Sequence, residues 1–408
     1  MSTELKSPPR GSPPASRETS RARLWLLGLG PLVLLAALVA LFLKFGPLGV
    51  FRAAFPPVEE LTIERVVFPA PGRVVLHVVN GGPEASTVAQ VMVDEAYWRF
   101  EIEPAPTIPR LGRATIRMEY PWVEGEPHEF RVVTSTGLTF DRVVEVATES
   151  PRPDARYLRT FALLGAYAGV VPVFLGLLWY PFLRSIRRRW VHFFLSLTIG
   201  LLVFLAVDAL HEALETAALV PPAFQGVGLV AVGALGAVLA LVAAGRWLRS
   251  RRARGPGGDR LWLAYLIALG IGLHNLGEGL AIGAAYAIGE IALGAFLVIG
   301  FAIHNTTEGF AIVAPVARER PPIRHFAWMG ALAGVPTILG AWIGGFTYSP
   351  LFATLFLAIG AGAILQVVYE IGRLVLSECE GRQVTATNAA GFVLGLLVMY
   401  GTALLVVA

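Results

Sequence analysis

The pattern of apolar and polar positions changes character three times along the chain. Residues 1–23 are rich in Pro, Ser and Arg and hold almost no large apolar side chain, so an unstructured cytoplasmic tail is expected there. Residues 24–45 are nearly uncharged and long enough to span a bilayer. They exceed the apolar stretch of a cleaved leader, about 7–15 residues, so a retained transmembrane anchor is expected. Between 55 and 150 the apolar residues fall into short runs, at 72–79, 88–93, 97–102, 114–120 and 129–133. These runs are rich in Val, Ile, Phe and Tyr, and turn residues at 80–83 and 123–126 separate two pairs of them. They predict an all-β sandwich of immunoglobulin-like size.

From residue 158 to 408 the pattern becomes one of long apolar segments, near 158–182, 191–217, 221–244, 261–287, 291–316, 326–346, 351–376 and 389–408. With the anchor they make about nine spans, each near the ~20 residues that a hydrocarbon core requires. The predicted fold class is a multi-pass α-helical membrane protein: an anchor helix, a β-sandwich and an eight-helix bundle.

Composition agrees, since 15% of residues are charged and 55% hydrophobic, against about 25% charged in ordinary soluble domains. The excess of basic residues changes the picture only through its placement. Arginines crowd the connections 184–189, 246–254 and 318–324, whereas the intervening connections 216–222, 288–290 and 347–350 carry no basic residue. Basic connections face the cytoplasm. The N-terminus is then cytoplasmic, and the β-domain and the C-terminus lie outside the cell membrane. The partner implied by this charge is the lipid bilayer and not nucleic acid. Cys379 is the single cysteine, which excludes a disulfide framework or a Cys-rich zinc module and disfavours copper(I) as a ligand.

Two neighbouring segments repeat one phrase. The first runs His274-Asn275-Leu276-Gly277-Glu278-Gly279, followed by Leu280-Ala281-Ile282; the second runs His304-Asn305-Thr306-Thr307-Glu308-Gly309, followed by Phe310-Ala311-Ile312. An ionisable residue within a bilayer helix costs about 2.5–3.5 kcal/mol on insertion scales, so a duplicated His/Glu pair points to function. At about 100° per residue, Glu278 lies between His274 and Asn275 in projection, and Glu308 lies likewise between His304 and Asn305. Facing helices would join two His and two Glu into one metal position and two Asn with the same carboxylates into an adjacent one. Imidazole nitrogen and carboxylate oxygen suit zinc, and also iron(II), manganese or cadmium. Hydrogen-bonded bracing of the two helices is the simpler alternative.

Further ionisable residues lie elsewhere. Asp208, His211, Glu212 and Glu215 share one helical face near the predicted outer boundary. They suit either a waiting station for a cation or an interfacial polar face. Glu370 is a deeper, isolated acid that suits a transport path, a proton carrier or an interhelical hydrogen bond. His192 and His325, at helix starts, and His77 and His128, in the β-domain, fit structural roles. No phosphate-binding loop is present, so no organic cofactor or ATP drive is expected.

Over residues 158–408 the sequence resembles the ZIP (Zrt-, Irt-like) family of divalent metal transporters. The resemblance rests on the two phrases above, in the fourth and fifth of eight spans, and on 360–365 with Tyr369-Glu370 in the seventh. It implies an eight-helix bundle with both ends outside, with His274, Glu278, His304 and Glu308 binding the transported metal and Asn275 and Asn305 serving a neighbouring position. Gly277 and Thr307 stand where the family has proline, and 333–336 is neutral where bacterial members often place a further carboxylate. One well-occupied position is therefore expected. The expected function is inward transport of divalent transition-metal ions, zinc first, by alternating access. The metal is cargo. An intramembrane metal-dependent hydrolase and a membrane-anchored metal-binding or sensory protein are the alternatives. Assembly as a homodimer and an extracytoplasmic partner for the β-domain remain open.

Overall fold

A computed structural model of the chain describes residues 21–45, 58–251, 256–287, 291–378 and 385–407. The predicted tail up to residue 20, the connection 288–290 and Cys379 lie outside the described residues. Helix α1 (Arg21–Phe45) has Pro31 within it and belongs to a unit, Met1–Pro57, separate from the remainder of the chain. Everything from Val58 onward forms a second compact unit.

The second unit begins with a two-sheet sandwich. Strands β1 (Leu61–Ala70), β2 (Arg73–Asn80), β7 (Arg113–Glu119) and β5 (Phe100–Glu103) form one sheet in the order β1-β2-β7-β5. Strands β4 (Ala96–Trp98), β3 (Ser86–Val93), β8 (His128–Thr134) and β9 (Thr139–Val144) form the other, with β6 (Thr107–Ile108) also paired to β3. Among the described residues every strand pairing is antiparallel, and alternate residues point inward. Val74, Leu76 and Val78 of β2 thus meet Val91, Phe130 and Val132 in a shared core.

Helices follow: α2 (Ala155–Gly165), α3 (Val171–Leu177), α4 (Tyr180–Ser185), α5 (Arg188–Ala218), α6 (Gly226–Arg251), α7 (Pro256–Ala287), α8 (Ile291–Val313), α9 (Ile323–Thr347), α10 (Pro350–Glu378) and α11 (Ala386–Val407). Among the described residues, seven stretches are long and apolar enough to cross a membrane: Ala155–Ser185, Arg189–Ala218, Pro222–Arg246, Arg260–Ala287, Leu293–Val316, Ile323–Thr347 and Pro350–Leu376. The ends of the chain add shorter apolar stretches, Leu29–Leu41 and Ala386–Gly401. The count therefore falls short of the nine spans expected, because the terminal helices offer fewer described apolar residues. The bundle surface is itself apolar: Val232, Leu235 and Leu239 of α6 are 64–70% exposed, as lipid-facing side chains would be.

The first of these stretches is not a single regular helix. Pro172 has no N–H, so the carbonyl four residues earlier, Ala168 O, loses its helical donor. A π-helical turn at Ala166–Val170 separates α2 from α3 at this point.

Helices in lipid associate through close backbone approach more than through hydrophobic burial. Here that approach is set by glycine. A Cβ on Gly279 of α7 would lie 2.0 Å from Thr337 O of α9, and one on Gly283 2.2 Å from Ala341 O. In return, Gly340 and Gly344 of α9 would each meet an α7 carbonyl, Leu276 O or Leu280 O, at 2.1 Å. The same device seats α8 on α3, where a Cβ on Gly309 would lie 2.1 Å from Val173 O.

The β-domain is seated on one end of this bundle. Arg65 Nη1 donates to Phe346 O (2.8 Å), Gly81 abuts Pro221, and a cavity of about 100 Å³ is shared by β1, β9, Ala287 and Tyr348. Pro221, Ala287, Phe346 and Tyr348 all lie in or beside the three connections that lack basic residues.

Replacing Gly279 by Val is expected to destabilise the bundle by about 1–3 kcal/mol through overpacking against α9. The check is thermal unfolding in detergent. Gly236, which has nothing within 4 Å of its Cβ position, should tolerate the same change.

Candidate metal centre

The two repeated phrases lie on adjacent antiparallel helices at the same distance from their connection. His274 is 13 residues before the end of α7 at Ala287, and His304 is 13 residues after the start of α8 at Ile291. At 1.5 Å per residue both stand about 20 Å along their helices from that connection, a distance that would put them inside a hydrocarbon core about 30 Å thick.

Three ligand atoms converge there. One atom each from His274, Glu278 and His304 lies within 4.8 Å of the others, and all three residues are buried. His304 Nε2 is hydrogen-bonded to Glu278 Oε1. His274 Nε2 stands 3.2 Å from the same oxygen but has no aligned hydrogen bond. The imidazole rings are 6.3 Å apart, centre to centre.

The asparagines hold the frame. Asn305 Nδ2 donates to Glu278 Oε2 (2.7 Å) and to Ala168 O (3.0 Å), the carbonyl that Pro172 leaves without its helical partner. Asn275 Nδ2 donates to Ala333 O (3.1 Å), a backbone carbonyl of α9. Both are fully buried, and in both the side-chain oxygen Oδ1 remains without a hydrogen-bond partner.

Glu308 does not join the three-ligand group. Because the helices run in opposite directions, Glu278 lies four residues from His274 toward the connection, while Glu308 lies four residues from His304 away from it. The two acids are thereby displaced along the bundle axis to opposite sides of the imidazoles, by about 6 Å each. Glu308 is 97% buried, and neither of its oxygens has a hydrogen-bond partner. It lines a cavity of about 10 Å³ with His304, Thr307 and the apolar Leu202, Leu205 and Met399.

Five buried atoms on the two phrases therefore lack a partner: His274 Nε2, Asn275 Oδ1, Asn305 Oδ1 and both oxygens of Glu308. Every one is an electron-pair donor once His274 is neutral at Nε2. Each unsatisfied buried group costs about 1–3 kcal/mol. The His274, Glu278 and His304 atoms are the ones close enough together to share one cation.

The glycines that follow the two acids have a packing role. Gly279 and Gly309 are the contacts with α9 and α3 described above, so each carboxylate sits one residue from a backbone-to-backbone crossing.

The face on α5 divides. His211 Nε2 and Glu215 Oε1 pair at 3.2 Å with both side chains exposed, and Asp208 is exposed as well. Glu212 is half-buried and within electrostatic reach of Glu278. Glu370 is half-buried on α10 and is not isolated, since it interacts with other residues. It lies ten residues beyond Gly360, which abuts His274, and so about 15 Å from the imidazoles along the axis. The remaining described histidines have other neighbours: His325 Nδ1 meets Tyr265 OH at 2.9 Å, and His128 Nδ1 meets Asp94 at 2.7 Å. His77 faces Thr115 at 3.5 Å, and His192 also has a partner.

Two contributors escaped the sequence reading: Ala168 and Ala333, whose carbonyls orient the asparagines. The only signal for them is a proline nearby on a neighbouring span. No protein-family model matches the chain, and no curated protein matches its sequence.

Changing His304 to Ala is expected to lower zinc affinity at least about 100-fold, as loss of one of three ligands should. Changing His325 to Ala should leave it within about twofold. Equilibrium binding to purified protein, read by elemental analysis, checks both.

Proposed function

We propose that this protein carries divalent transition-metal ions across a membrane, zinc first among them, with His274, Glu278 and His304 as the gripping ligands. The observation that carries the reading is the convergence of one buried atom each from His274, Glu278 and His304, within 4.8 Å of one another on two helices. The resemblance to ZIP transporters points the same way and rests on the same residues.

Charge balance supports it. Glu278 and Glu308 together carry two negative charges when ionised, and two neutral imidazoles add none. A divalent ion brings this set to zero, which lowers the cost of keeping charge in a low-dielectric bundle. The contact between His304 Nε2 and Glu278 Oε1 needs one shared proton, and a metal entering between them displaces it. Proton release on binding follows from that geometry.

Alternating access around this site needs no ATP. A divalent cation moving inward gains about 4.6 kcal/mol per 100 mV of membrane potential. The positive-inside distribution favours a β-domain outside the cell membrane, and its contacts named above, among the described residues, fall at the basic-poor end of the bundle. Two His and one Glu also form a hydrolase ligand set. Against that reading, the cavity that includes His304 measures about 10 Å³, about one water and no substrate.

Purified protein in liposomes is expected to take up zinc with about one proton released per ion. Glu278→Gln should cut the flux at least about 100-fold, on the scale of lost metal ligands. Unchanged flux in that variant, or metal-dependent hydrolysis without flux, would overturn the proposal.

A further inference from the structure

The carboxylate of Glu278 divides its two oxygens between two tasks. Oε1 faces the imidazoles, hydrogen-bonded to His304 Nε2 and 3.2 Å from His274 Nε2. Oε2 accepts from Asn305 Nδ2 at 2.7 Å. The same amide nitrogen donates its other hydrogen to Ala168 O at 3.0 Å. Both partners are acceptors, so the amide has one workable orientation; turned over, it would set Oδ1 against a carboxylate and a carbonyl. Asn305 itself has no exposed surface. Ala168 O is presented by the first span. It lies in the π turn at Ala166–Val170, where Val171 N donates to Ala166 O and Pro172 supplies no N–H. Backbone contacts fix this span against α8 beside Asn305. A Cβ on Gly176 would lie 2.2 Å from Thr306 O, and one on Gly309 2.1 Å from Val173 O.

We propose that Asn305 is a specificity-determining residue: it occupies Glu278 Oε2 and so limits that carboxylate to one oxygen, Oε1, for a cation held with His274 and His304. The inference rests on the ligand set of the transport reading and gives Asn305 a task other than ligation. Two imidazoles and one carboxylate oxygen suit zinc, whose shell four ligands complete. Manganese favours six ligands, mostly oxygen, and would gain more from a carboxylate that offers both of its oxygens. Engaging Oε2 therefore disfavours manganese more than zinc. Pro172 acts through Asn305 as a positioning residue, since its missing N–H keeps Ala168 O open to the amide.

The test is equilibrium binding of zinc and of manganese to purified full-length protein in detergent, after thermal unfolding of the metal-free variants has shown that each folds. Asn305→Ala is expected to shift the ratio of manganese to zinc affinity about tenfold toward manganese, the scale of a lost contact to a metal ligand. Pro172→Ala leaves every ligand side chain in place and returns an N–H that competes for Ala168 O. It should move the ratio the same way by about threefold, and add nothing in an Asn305→Ala background. A general loosening of the bundle would instead weaken both ions alike, and its effects would add in the double variant. An unchanged ratio in Asn305→Ala, or a Pro172→Ala effect that persists in the Asn305→Ala background, would overturn the inference. Should Asn305→Ala not fold, Pro172→Ala decides alone: the shift supports the assignment and an unchanged ratio removes it. Failure of the transport reading is distinct. A protein that binds zinc with this selectivity yet moves none into liposomes would end that reading and leave the role of Asn305 standing; one that binds no zinc would end both.

Discussion

Carboxylates and imidazoles at the centre of a bundle whose helices touch at backbone distance have nowhere to turn. The neighbouring backbone is largely committed to its own helical bonds, and Pro172 leaves one carbonyl, Ala168 O, without its helical donor. The arrangement around His274 and His304 follows from that scarcity. Asn305 donates to that carbonyl and also clamps Glu278, Asn275 donates to Ala333 O, and the remaining electron pairs are left without partners. In a soluble protein a rotamer change or an ordered water would remove such a deficit. Here the deficit persists, and it defines the chemistry that the site can do.

Much of this was legible in the chain. The duplicated His-Asn-x-x-Glu-Gly phrase named the three converging ligands, and the switch from short apolar runs to long ones separated sandwich from bundle. What was not legible was the difference between the two copies. Repetition in sequence suggests symmetry in space, yet two antiparallel helices send the i+4 acid in opposite axial directions. Glu278 therefore meets both imidazoles, while Glu308 is carried to an apolar recess beside Met399. The first span was also hard to read, because the π turn before Pro172 is a property of one missing N–H and leaves the apolar pattern unchanged.

The sandwich shows a similar limit. Strands β1 and β9 are absent from the runs that the sequence singles out. Register shifts interrupt β1 at Ile63/Arg65 and Val67/Ala70, and β9 contains no fully buried residue, so neither stands out as a regular run of buried apolar positions. They are nevertheless the strands that line the cavity above the helices. Departures from ideal strand pattern coincide here with contact to another part of the molecule, since residues such as Arg65 and Arg142 serve that contact and not the sandwich core.

The glycine crossings divide the ligands between two partnerships. Gly279 fastens the strip bearing His274 and Glu278 to α9, and Gly309 fastens the strip bearing His304 to α3. The candidate metal centre is therefore a seam between two halves, joined across it by the Glu278 contacts with His304 and Asn305. A small slide of one half past the other would part those contacts together, so opening the seam and letting go of the ion would be one and the same motion.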